Sequence, residues 1–211
     1  MGYCFPVWAS TYDYQALLAA RTPTTVAVQA EVARDRQPVL VVRGEVADGR
    51  ITLLPIFQLT ARPSTASVGA YRVQGRNARG SVLFSQSFAP TPVDHARVEL
   101  FTVAVPMTSA AARELAEVRV TSPGGIEARM LAAPGAAAST TSPTGALRSS
   151  RGVTVACADK RSTGLLVVDP STGAVLASGA GSRLVLPAGF ANELRVHCSD
   201  GLHTSTQVVR Y

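Results

Sequence analysis

The sequence predicts an all-β fold: Ig-like β-sandwich modules preceded by one short N-terminal helix. Three observations point there. Runs of strand length, rich in Val, Ile, Leu and Thr, recur from residue 37 to the end. Clusters of Asp, Asn, Pro, Ser and Gly separate them at the spacing of β-turns. The clearest helical apolar spacing lies before Pro23, within the 211 residues.

The elements follow in order. Ser10-Thr11-Tyr12-Asp13 resembles a capping box with Asp13 in the usual Glu place. Behind it Tyr14, Leu17, Leu18 and Arg21 repeat at i, i+3, i+4 and i+7, so residues 11–21 read as a short helix, stopped by Thr22-Pro23. "QPVLVVRGEV" (37–46) and "GRITLLPIFQL" (49–59) read as two strands joined at Asp48-Gly49. Residues 69–88 read as two strands around the Asn77–Gly80 turn, and 96–106 as an alternating strand. One helical turn is expected over 109–115, then strand, Pro-Gly-Gly turn and strand over 115–131. That makes 22–132 a β-sandwich domain. "APGAAASTTSPTGALRSSRG" (133–152) has little to bury and reads as an exposed linker. Strand texture resumes in 153–159, 163–178, 182–187 and 193–211, giving a small Ig-like module over 153–211, with completion of the first sandwich as the alternative reading.

Composition narrows the function. The net charge of +6 rests almost wholly on arginines scattered singly, Lys160 being the only lysine. Without a basic run or aromatic–basic interleaving, the pattern argues against a nucleic-acid partner. No apolar run is long enough to span a bilayer. Of the three cysteines, Cys157 and Cys198 fall in the small module and can pair, which leaves Cys4 over. A bond between them would supplement a core too small to be stable alone.

Motifs for chemistry are sparse. No two of His95, His197 and His203 stand at metal-ligand helical spacing. His197 and His203 flank the "CSDG" turn, where a surface metal site competes with the plainer reading of solvent-facing strand residues. Asp94-His95 reads as a loop pair, and Gly179-Ala180-Gly181 as a tight turn. No HExxH and no Gly-x-Ser-x-Gly occurs. The chain shows no metal site and no assembled active site of its own.

The opening "MGYCFPVWASTYDYQALL" is the exception. Met1-Gly2-Tyr3, set before a helix, resembles the Met-turn of metzincin zinc proteases. The extended pattern of Met1, Gly2, Tyr3, Cys4, Pro6, Trp8, Ser10, Tyr12, Tyr14 and Leu17 is similar to the segment after the zinc helix in bacterial secreted metzincin-like peptidases. The β-region that follows also resembles the sandwich behind their catalytic domain. The resemblance implies that 1–21 is the Met-turn and last helix of a truncated catalytic domain. Met1 would be the apolar floor beneath the zinc, and Tyr3 a hydrogen-bond donor to the oxyanion of the tetrahedral intermediate. Cys4 would pair with a cysteine upstream, and Met1 would be an internal methionine.

On this reading the chain is the C-terminal part of a secreted zinc metallopeptidase, and it is inactive alone. Zinc is the cofactor of the intact parent, and the missing N-terminal catalytic domain is the chief partner. Its departures from the family are the zinc ligands and the Glu base, all absent from the chain. The competing reading is a non-enzymatic secreted β-sandwich protein that binds a protein or glycan, as in adhesion.

Overall fold

The structure is a computed structural model that describes residues 36–64, 69–132, 145–149, 152–159, 161–187 and 192–210. The expected N-terminal helix and its aromatics lie outside the described residues. Gln37–Tyr211 is a compact unit.

Strand β1 (Gln37–Ala47) turns into β2 (Arg50–Leu53) through Asp48 and Gly49, both at positive φ (48° and 71°). That is the backbone of a type I′ hairpin turn, and Asp-Gly is its preferred pair. β1 is long enough to use one edge twice: Gly44–Ala47 pairs β2, and Gln37–Val41 pairs β3 (Phe57–Ala61). The single strand expected over 49–59 is therefore two strands. The break falls at Leu54-Pro55-Ile56, where Pro55 has no N–H to give a ladder. The other edge of β1 pairs β7 (Val98–Pro106), whose far edge carries the two-residue β6 (Thr91–Pro92).

A second antiparallel sheet runs β5 (Val82–Phe88), β4 (Tyr71–Asn77), β8 (Leu115–Thr121) and β9 (Glu127–Leu131). The short helix α1 (Ser109–Glu114) leads into β8, and the Thr108 hydroxyl caps it by accepting from Ala111 N–H at 3.2 Å. Period-2 alternation turns Leu40, Val42, Phe101, Val103 and Val105 of one sheet, and Val73, Phe88, Val118 and Val120 of the other, into a shared core.

Two further antiparallel sheets follow. One is β10 (Gly145–Ser149), β11 (Gly152–Ala156) and β14 (Arg183–Leu186); the other is β13 (Val175–Ala180), β12 (Gly164–Val168), β15 (Glu193–Ser199) and β16 (Thr204–Arg210). Val153, Val155 and Leu186 meet Leu165, Val167, Leu194 and Val196 in a second core. Within 133–152, read from sequence as linker, Gly145–Ser149 pairs with β11 and Ala146 packs on that core. A strand so poor in large side chains gives little apolar signal.

β12 is buried on both faces. Leu165 and Val167 enter the second core, while Leu166 and Val168 pack on Phe57 and Leu59 of β3. The described residues are thus mostly β-strand, with α1 the one helix among them, in sandwich-like pairs of antiparallel sheets. Among the described residues no helix is long and apolar enough to cross a membrane.

Candidate functional site

Polar chemistry concentrates where β15 and its turn meet the first pair of sheets. Cys157, just past β11, is bonded to Cys198 on β15, with Cα atoms 5.9 Å apart and a sequence separation of 41. The bond joins the two sheets of the second core. On the other face of β15, Ser199 donates its hydroxyl proton to the Ile56 carbonyl and accepts from Gly201 N–H at 3.1 Å. Ile56 N–H donates to the Gly201 carbonyl at 3.1 Å, and Gln58 N–H to the Thr204 hydroxyl at 2.9 Å. These bonds satisfy backbone groups of Ile56 and Gln58 that the pairing of β3 with β1 does not use.

Neither histidine of this region is a solvent-facing strand residue. His197 is only 6% exposed, beside Leu166 on the neighbouring β12, with Nδ1 2.8 Å from the Thr206 hydroxyl. Burial first, and the Arg195 charge second, push its pKa down to about 4. His203 is half-buried after the turn, its Nδ1 3.7 Å from Asp200, whose carboxylate raises the pKa of the imidazole against the effect of burial. Burial raises the Asp200 carboxyl, but the neighbouring His203 imidazole and hydrogen bonds accepted from the His203 and Leu202 N–H groups outweigh it, leaving a net lowering. Asp159, two residues past Cys157, is lowered by its hydrogen bonds to Arg161.

The geometry does not assemble a nucleophile and base. The Ser199 proton is committed to a carbonyl, and His197 is held against Thr206. His95 sits apart, in the β6–β7 turn at φ 61°. Among the described residues no three His, Cys, Asp or Glu side chains group as metal ligands. Gly181, at φ 88°, sits in the β13–β14 turn, as its sequence suggested. Met1, Tyr3 and Cys4 lie outside the described residues.

A second feature is a shallow cleft between the β5 edge of one sheet and the β7 edge of the other. Phe88 and Phe101 floor it, ring centroids 5.0 Å apart, and Ser64, Gln86, Thr91 and Thr102 rim it. Gln86 pairs opposite Val73, so it occupies an inward slot of β5. Sequence reasoning missed this cleft. The available signal was a glutamine where the alternation of "VLFSQSF" calls for an apolar side chain.

No protein-family profile matches the chain, and no curated protein matches its sequence.

Proposed function

We propose that this chain is the accessory β-region of a secreted bacterial zinc metallopeptidase, carrying the Met-turn and last helix of the catalytic domain at its start. One observation carries the reading: the ordered series Met1, Gly2, Tyr3, Cys4, Pro6, Trp8, Ser10, Tyr12, Tyr14 and Leu17, directly ahead of sandwich-like sheets. The bond between Cys157 and Cys198 supports it, since such bonds persist in oxidising compartments outside the cytosol. Sandwich-like sheets over 37–132 and 145–210 are compatible with Ig-like accessory modules.

In the intact parent, zinc supplies the Lewis acid for peptide-bond hydrolysis, held by residues outside this chain. There Met1 would form the apolar floor of the zinc site, and Tyr3 would donate a hydrogen bond to the developing oxyanion. The chain by itself neither holds zinc tightly nor cuts peptides. The test is the coding sequence upstream of Met1. An in-frame HExxHxxGxxH is expected there, and an upstream frame without it would overturn the reading in favour of a non-enzymatic binding protein.

A further inference from the structure

Strand β5 is a sheet edge, and among the described residues no strand pairs its outer side. Proteins guard such edges with charge, proline or brevity. β9, at the other end of the same sheet, carries Glu127 and Arg129. β5 is seven residues long, VLFSQSF, with no charge, no proline and no glycine. Its one irregularity is a register shift near Val82, which leaves Phe84–Phe88 in regular pairing with β4.

The ladder fixes which backbone groups face outward. Asn77 N–H donates to the Ser81 carbonyl at 3.0 Å, so Gly75, Val73 and Tyr71 also turn toward β5 by alternation. The opposite side of the sheet agrees: Ala132 N–H donates to the Ala116 carbonyl, which sets the same alternation from β9 back to β4. Phe84, Gln86 and Phe88 therefore spend their backbone groups on β4, and Ser85 and Ser87 offer theirs to the open edge.

Two features flank that edge. On the inner face the cleft opens beside it, with Phe88, Ala89, Phe101 and Val103 in its lining. On the outer face Arg72, directly opposite Ser87, is exposed and has no carboxylate partner among the described residues. A strand added to β5 would lie two spacings from β4, about 10 Å. Across a residue as small as Ser87, an arginine and a glutamate can meet over that gap.

We propose that β5 is a docking edge for an extended segment of another polypeptide, alternating apolar residues turned to the cleft with acidic residues turned to Arg72. Main-chain hydrogen bonds to Ser85 and Ser87 supply attachment, and the two faces supply selectivity. A second copy of β5 would bring uncharged serines to Arg72, leaving it unpaired. The inference is independent of the peptidase reading.

The test uses the full chain and a fluorescein-labelled seven-residue peptide alternating valine and glutamate, with a valine–lysine peptide as comparison. Binding of the glutamate peptide alone, seen as a rise in anisotropy, is expected. Ser85→Pro removes an outward N–H that the β4 ladder does not use, and should weaken binding by about tenfold or more. Arg72→Glu changes only an exposed side chain and should reverse the preference to the lysine peptide; it stands as the test if the proline variant fails to fold. Equal binding to both peptides, no binding, or affinity unchanged in both variants would overturn the proposal. So would a dimer in sedimentation that Ser85→Pro dissolves, because the edge would then belong to a second copy.

Discussion

His197 is a titratable ring placed where a charge has no water. Its folded pKa is about 4 against 6.5 for a free imidazole, so the unfolded chain takes up the proton first as pH falls. Its contribution is fully present above about pH 6.5 and is lost progressively down to about pH 4, a change on the order of 3 kcal/mol. His203 acts in the opposite sense. Its raised pKa gives a contribution present below about pH 6.5 and lost as pH rises through the folded value. The depressed carboxylates Asp159, Asp169 and Asp200 lose their share below the ordinary carboxylate range, so the mildly acidic window belongs to the histidines. Urea midpoints should fall between neutral pH and about pH 5, and His197→Gln, which cannot charge, should flatten that fall. A steeper fall in the variant would count against this account. Among the cysteines, replacing Cys157 and Cys198 by alanine should cost roughly 4 kcal/mol by loop-closure entropy. The readout is the shift in melting temperature of the variant against the oxidised chain.

At the scale of elements, β3 and β12 do double duty. Phe57 pairs into the first sheet, lies beneath the Arg43 guanidinium (5.2 Å to the ring centre) and packs on Leu166 and Val168. Phe57→Ala should cost about 3–5 kcal/mol. Gly164, at the start of β12, has no room for a side chain, since a Cβ there would overlap Pro55. Gly164→Ala should therefore destabilise the chain too, measurable in the same urea titrations. Most strands were legible because alternation and Asp-Gly, Asn–Gly and Pro-Gly-Gly turns declare themselves locally. β10 was not, because alanine, serine and glycine carry no apolar period. The second burial of β12 was half legible: "GLLVV" is a continuous apolar run, the mark of a strand covered on both faces, but the sequence does not say what covers its second face. His197 was misplaced for the same reason, since β15 looks half-polar until β3 is laid against it. The docking edge hides in an ordinary run, because an unpaired backbone has no residue type.

Across the whole molecule, Gln37–Tyr211 is one compact unit whose described buried core begins at Val39. Removing residues 1–21 should leave its melting temperature nearly unchanged; a marked fall on that deletion would show that the opening segment belongs to this core. Differential scanning calorimetry of the full chain should give one dominant transition for the sandwich region, because opening either core strips Leu166 and Val168 or their partners. Two well-separated transitions would show that the β3–β12 contact carries little coupling.

That shared wall has a bearing on ancestry. A β-domain can be exchanged between genes most easily when the cut falls at a solvent-washed joint. Here a cut through 133–152 would hand the recipient a strand with two leucine- and valine-lined sides and only one lining to place against it. The donor would be left with Phe57 facing water. The two halves are therefore expected to travel together through gene rearrangement, and a lineage that lost one should show polar replacements at the positions of Phe57, Leu166 and Val168 in the survivor.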